Sequence, residues 1–233
     1  MKNTISQNLI RHVGRPTISL ILAVFLVCSN ITGVIHVNAE QVFLDVSPTQ
    51  DKWCYEQVMK AYNMGIIHGY GDGYFGKNNP ITRGQIVQIL YNRFGTDCGT
   101  DSGFKDVPSS MWCAKAIVWA AKNKIVSGYA DGTFKPNDRL TREQMVKILY
   151  NVAGNPAVNT SETLSKFKDA DKVAGYAVNG FAWAVSSGVV SGTSSTTLSP
   201  KGTATRAQVA VILVRYIEKS VNKLVLPSPN SGF

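Results

Sequence analysis

Histidine is nearly absent from this chain and cysteine is sparse: 233 residues hold three histidines and four cysteines, and charged side chains make up only 17%. Those shortages exclude chemistry. With the first 39 residues set aside as a leader, His68 is the sole histidine and no Cys-x-x-Cys spacing occurs, so a zinc site would lack ligands. Asp72 and Asp131 sit outside any EF-hand spacing. Neither a Ser-His-Asp nor a Cys-His set is evident, and no metal, cofactor or catalytic residue is expected. Cys54, Cys98 and Cys113 are an odd number, so at least one thiol stays unpaired or pairs between molecules. Cys54 and Cys113, beside Trp53 and Trp112, read as buried structural positions, while Cys98 lies in a Gly-rich link.

Long apolar runs are lacking too. The longest candidate, Ile18 to Cys28, has eleven residues, against about 20 needed to span a bilayer. Lys2, Arg11 and Arg15 precede it and Val37-Asn38-Ala39 follows with small residues, which together read as a signal peptide over 1–39, with an uncleaved anchor extended by Ile31 to Val37 as the alternative. No stable membrane insertion is expected after its cleavage. Removing it takes three cations and no acid, leaving 21 Lys plus Arg against 15 Asp plus Glu, a balance of +6. The expected partner is therefore anionic. Export, the absence of basic runs longer than two residues and the absence of nucleic-acid motifs argue against nucleic acid.

What the sequence has instead is a repeat. Thr82-Arg83-Gly84-Gln85 and Thr141-Arg142-Glu143-Gln144 lie 59 positions apart, and the same offset superposes Trp53 on Trp112 and Gly69-Tyr70 on Gly128-Tyr129. Thr205-Arg206-Ala207-Gln208 follows 64 positions later, placing Trp183 on Trp119 and Tyr176 where Trp112 stood. Three such units describe a modular array whose members bury apolar faces on one another. In each, Val58, Ala61 and Tyr62, or Ile117, Ala120 and Ala121, recur at helical steps. Gly65 and Gly188 suit a left-handed helix end, where glycine avoids a Cβ clash. Lys124 stands in that place in the second copy, so either it takes the strained conformation or Asn123 absorbs the turn. Asp72-Gly73 and Asp131-Gly132 read as tight turns, with Phe75 and Phe134 tucking the loops onto the helices.

Threonine followed three residues later by glutamine is a capping box, so Thr82, Thr141 and Thr205 each open an apolar helix. Ile86, Ile89, Leu90 and Phe94 form the first such face, and Met145, Ile148, Leu149 and Val152 the second. The cap does not explain Arg83, Arg142 and Arg206, since a cation opposes the dipole at a helix start. Two explanations stand side by side. One is an anion site made of the guanidinium fork plus free helix amides. The other is an internal pair with the preceding aspartates Asp45, Asp106 and Asp169.

At these residues the chain resembles the S-layer homology family. The likeness covers about Val42 to Ile217 and rests on Phe43-Leu44-Asp45-Val46, Trp53, Gly65 to Gly73 and Ile81-Thr82-Arg83, repeated as Phe104-Lys105-Asp106-Val107, Trp112, Ile125 to Pro136 and Leu140-Thr141-Arg142. The resemblance implies an all-α fold of three tandem helix-loop-helix repeats, a three-pronged pseudo-trimer around a central three-helix bundle, with ligand grooves between prongs. On this reading the repeats occupy 40–98, 99–157 and 158–217, followed by a loose tail over 218–233.

It also implies a non-catalytic module that binds an acidic secondary cell-wall polymer linked to peptidoglycan, commonly pyruvylated, and so holds to the bacterial surface without a covalent bond. The candidate ligand-binding set is Arg83, Arg142 and Arg206, Asp45, Asp106 and Asp169, Trp53, Trp112 and Tyr176, with Gly69 and Gly128 in the turns. The aromatics either cover sugar faces or fill the core. Gln85, Gln144 and Gln208 stand where the family usually has glutamate. Copy three replaces the Asp-Gly turn and its aromatic by Gly192 to Leu198, so its groove is expected to be weak and Arg206 to matter least. A self-assembling surface-layer or adhesion protein is the alternative, with a surface-protein partner or self-association. A wall-glycan hydrolase is a remote one, because it needs paired carboxylates that the repeats do not set apart.

Overall fold

The computed structural model describes residues 42–225, with side chains described through residue 220. The leader expected over 1–39 and residues 226–233 lie outside that range. Among the described residues there are seven α-helices and no strand, only isolated bridges. They are α1 (Tyr55–Asn63), α2 (Arg83–Phe94), α3 (Ala114–Lys122), α4 (Arg142–Val152), the short α5 (Thr160–Leu164), α6 (Val178–Ser186) and α7 (Arg206–Val225). Two 3-10 turns, Ala170–Lys172 and Gly175–Ala177, lead into α6.

Each repeat supplies a first helix (α1, α3 or α6), a loop, and a capped helix (α2, α4 or α7). The caps form as the sequence requires: the hydroxyls of Thr82 and Thr141 accept from the amides of Gln85 and Gln144, and the threonine amides donate back to the glutamine side-chain oxygens. Thr205 and Gln208 exchange the same pair of bonds at 3.3 and 3.4 Å. The helical steps bury Val58 and Ala61 of α1, Ile117 and Ala120 of α3, and Ile86, Leu90, Met145, Leu149, Val209 and Leu213 of the capped helices. Phe75, Phe134 and Leu198 are wholly buried at equivalent loop positions. Tyr62 and Phe94 depart from the inward expectation, being 37% and 39% exposed. Both stand at the ends of their helices, where the ring of Tyr62 rests edge-on against Phe43 instead. The part of the expected tail that is described is not loose: α7 runs on to Val225, and Glu218 accepts from Lys60 at 2.8 Å.

The repeats close on one another in cyclic order. Helix α2 packs on α3, α4 on α6, and α7 returns to α1, so each capped helix sits against the first helix of the next repeat. The residues just before the three threonine caps complete the ring. The amide of Ile81 donates to the Ala204 carbonyl at 3.0 Å, Ala204 to Leu140 at 2.9 Å, and Leu140 back to Ile81 at 2.9 Å. All three side chains are fully buried. Buried backbone groups must find partners, and here each repeat satisfies its neighbour.

Gly65, Lys124 and Gly188 all take the left-handed conformation, with φ of 66°, 57° and 67°. Asn123 does not absorb the turn, since its φ is −87°. The lysine therefore carries the Cβ clash itself. Lys124→Gly is expected to stabilise the protein by about 1 kcal/mol, read as a higher urea midpoint with unchanged m; an unchanged or lower midpoint would contradict the strain.

Candidate anion-binding grooves

The three arginines after the caps are buried, at 7%, 4% and 7% exposure for Arg83, Arg142 and Arg206. None pairs with an aspartate. Arg83 Nε donates to the Phe134 carbonyl at 2.9 Å and its Nη2 to the Ser127 carbonyl at 3.2 Å. Arg206 repeats this on the first copy's loop, Nε to Phe75 at 2.9 Å and Nη2 to His68 at 2.6 Å. Arg142 Nε reaches the Leu198 carbonyl at 2.9 Å. Each guanidinium is thus a latch on the loop of the next repeat. Two also lie between rings, Arg83 over Tyr129 and Phe134 at 5.0 and 4.5 Å, and Arg206 over Tyr70 and Phe75 at 4.6 and 5.0 Å. Burial lowers the proton affinity of all three.

Both explanations of these arginines need correction. The aspartates serve their own loops: Asp45 accepts from the amides of Phe75, Gly76 and Lys77, Asp106 from Phe134 and Lys135, and Asp169 from Leu198 and Ser199, all within 2.7 to 2.9 Å. A carboxylate accepting several amides pins a turn more tightly than one cation would, and it leaves the guanidinium free to cross to the neighbour. The helix-start amides are not free either. Those of Arg83 and Gly84 donate to Asp138 and Pro136, those of Arg142 and Glu143 to Gly202 and Pro200, and those of Arg206 and Ala207 to Asn79 and Lys77. Of the groups in the anion-site explanation, the helix-start amides are spent and only the guanidinium nitrogens remain.

Arg83 and Arg142 each line a cavity. The first, about 270 Å³, is lined by Arg83 from repeat one, by Tyr129, Gln144, Lys147 and Asn151 from repeat two, and by Tyr176 from repeat three. The second, about 390 Å³, is lined by Arg142 from repeat two, by Gly192, Thr193, Gln208 and Arg215 from repeat three, and by Trp53 from repeat one. All three repeats build each groove. A third cavity of about 500 Å³, beside Ile66, Ile89 and Asn92, does not include Arg206.

The aromatics are not core. Trp53, Trp112 and Tyr176 are 54%, 59% and 51% exposed, and Trp53 and Tyr176 wall the two grooves. Tyr176 is held there by Glu143, which accepts from its hydroxyl at 3.1 Å, from the Ala174 amide at 3.1 Å and from Lys201 at 2.7 Å. Burial, then the Glu143 charge, raises the Tyr176 pKa. Gly128 lines the first groove, but it and Gly69 are glycine for packing. A Cβ would stand 2.3 or 2.6 Å from the ring of Phe104 or Phe43, and 2.8 Å from the carbonyl of Thr133 or Tyr74.

Gln144, Lys147 and Asn151, with Gln208 and Arg215 at matching places, line the grooves without belonging to the candidate set above. They recur at three- and four-residue steps along the capped helices, the spacing that announces a face. Polar residues there, flanking the apolar stripe, were the available signal.

The chain matches the family described as S-layer homology domain over residues 42–87, 103–146 and 166–210. It is similar to the Surface-layer 125 kDa protein of Lysinibacillus sphaericus, 32% identical over 70% of this chain and 14% of that protein. The Amylopullulanase of Thermoanaerobacterium thermosulfurigenes is 31% identical over 78% of this chain and 10% of its own length. For the Cellulosome-anchoring protein of Acetivibrio thermocellus the values are 28%, 66% and 36%. The chain spans from a tenth to little more than a third of the length of these three relatives.

Loop pinning by aspartate has a pH signature in copy three. Burial opposes the Asp169 charge, but the Leu198 and Ser199 amides outweigh it, and its pKa is lowered. Stability from this group is present above the ordinary carboxylate range, about pH 4, and is lost as pH falls through the lower folded value. Asp169→Asn should cost about 1 to 3 kcal/mol at pH 7 and flatten the acid limb of the stability curve; an unaltered acid limb would contradict the role.

Proposed function

The chain belongs to the S-layer homology domain family, and from that membership we propose that it is a non-catalytic surface module that holds to the bacterial cell wall by binding an acidic secondary wall polysaccharide, pyruvate ketals supplying the acid. The observation that carries this reading is the make-up of the grooves: each joins a buried guanidinium of one repeat, polar side chains along the capped helix of the next, and an exposed aromatic of the remaining one. A carboxylate suits the guanidinium fork, and a sugar face suits Trp53 or Tyr176.

Magnitudes favour several contacts. Charge-assisted hydrogen bonds contribute about 1.5 to 3 kcal/mol each, so one groove binds modestly, while a repeating polymer that fills two gains from effective concentration. The names of the relatives, a surface-layer protein and an anchoring protein, point the same way. The amylopullulanase shares only a tenth of its length with this chain, so its catalysis does not come with the likeness.

Exchange to alanine would remove the inter-repeat latches along with any ligand contact, so lysine, which keeps charge and reach but lacks the fork, is the informative substitution. The mature protein should sediment with wall sacculi and be released when acid strips their attached polymer, and Arg83→Lys/Arg142→Lys should cut retention at least about tenfold. Undiminished sedimentation on stripped walls would contradict the function.

A further inference from the structure

Among the described residues two carboxylates are buried, Asp51 and Glu143, at 7% and 5% exposure. They are used differently. Asp51 accepts from the Ser47 amide and from Lys77, both within repeat one. Glu143 is the second residue of α4 in repeat two, yet its side chain accepts from repeat three: from the Ala174 amide and the Tyr176 hydroxyl at 3.1 Å and from Lys201 at 2.7 Å. Its own amide donates to the Pro200 carbonyl of that repeat as well, at 3.0 Å. A carboxylate suits a helix start, and a buried one needs partners of this kind. Neither reason explains why one partner is the hydroxyl of a ring that is 51% exposed.

The other copies show what the pairing is for. Gly84 and Ala207 follow Arg83 and Arg206 where Glu143 follows Arg142, and neither side chain carries an acceptor. Because α2 packs on α3, α4 on α6 and α7 on α1, the ring order sets Gly84 toward Trp112, Glu143 toward Tyr176 and Ala207 toward Trp53. Acceptor meets hydroxyl, and small residue meets indole. A Cβ on Gly84 would stand 3.2 Å from the Cys113 sulfur, beside Trp112, so a glutamate has no room there. With its hydroxyl turned inward to Glu143, the part of Tyr176 left for the first cavity is its ring. The ring is close enough to Arg83 for the two groups to act on each other's charge. Glu143 itself does not line that cavity. It works from behind the wall, and Lys201 offsets its charge.

Resting on the wall-polymer reading, we propose that Glu143 is a positioning residue for the first groove, pinning the Tyr176 hydroxyl so that the ring stands ready to cover a sugar face. A ring already fixed gives up no rotamer freedom when a sugar stacks on it, which favours binding without any new contact. The carboxylate of repeat two thereby sets the aromatic of repeat three in a groove whose guanidinium comes from repeat one. In the second groove Trp53 faces Ala207 and has no such pin, so the two grooves differ in how their aromatic is held.

The test pairs a measurement without ligand and one with it, on the full mature chain and on Glu143→Ala, Glu143→Gln, Tyr176→Phe and the double variant Glu143→Ala/Tyr176→Phe. Aromatic carbon-13 relaxation should show a rigid ring at position 176 in the parent and a mobile one in Glu143→Ala and Tyr176→Phe. Affinity for polymer-bearing wall sacculi, read from sedimentation over a protein concentration series, should fall about fivefold in each of those two. The double variant should lose no more than the weaker single one, because both remove the same bond. Glu143→Gln keeps an acceptor oxygen and should lose less than Glu143→Ala. Tyr176→Phe removes only a hydroxyl from an exposed ring, so it remains a test if Glu143→Ala lowers stability. A ring that stays rigid in both single variants, or losses that add in full, would overturn the assignment. The two ideas fail separately. Undiminished retention on acid-stripped walls removes the polymer reading, whereas a freed ring with unaltered affinity for intact walls removes only this inference.

Discussion

A guanidinium that donates to the loop carbonyl of the next repeat is the contact on which everything else here depends. Arg83 holds Phe134, Arg142 holds Leu198 and Arg206 holds Phe75, each at 2.9 Å. Because the third latch returns to the first repeat across 131 positions of sequence, the set closes a ring. The Ile81, Leu140 and Ala204 amides close it again in backbone. A cation at a helix start opposes the dipole by a fraction of a kcal/mol, in the order of 0.3 to 1. Hydrogen bonds to a charged donor exceed that at about 1.5 to 3 kcal/mol, so the repeated charge is tolerated. Two of the side chains that lock the repeats, Arg83 and Arg142, also line the cavities between them, so on the proposed function structure and recognition share residues.

What was legible in the sequence was local. Capping boxes at Thr82, Thr141 and Thr205, the left-handed turn at Gly65 and Gly188, and the inward faces of the helices all follow from residues within one or two turns of each other. What was not legible was the crossing between repeats. Nothing near Arg206 indicates that it serves the loop of repeat one, so the weakened loop of copy three was assigned to Arg206 when its latch is Arg142. The internal pairing of arginine with aspartate failed for a related reason. Asp45, Asp106 and Asp169 are satisfied by amides about 30 residues on, and no spacing rule distinguishes such a pinned turn from an ion pair.

The loss of the Asp-Gly turn and its aromatic in copy three looks like decay when read as a motif. In space it is an exchange. Leu198 keeps the buried position of Phe75 and Phe134, so the loop stays packed. The rings that sandwich Arg83 and Arg206 are gone, and Gly192 turns the chain so that one arginine keeps its terminal edge unspent. A fully engaged guanidinium and a buried, partly engaged one thus come from the same template, and the loops they meet differ.

The most direct measurement is the nitrogen-15 spectrum of the arginine side chains while the mature chain is titrated with fragments of the acidic wall polymer. The account predicts that the Nη resonances of Arg83 and Arg142 move, while the Nε resonances of all three latches stay in place. Saturation with polymer and no shift at any guanidinium would contradict it.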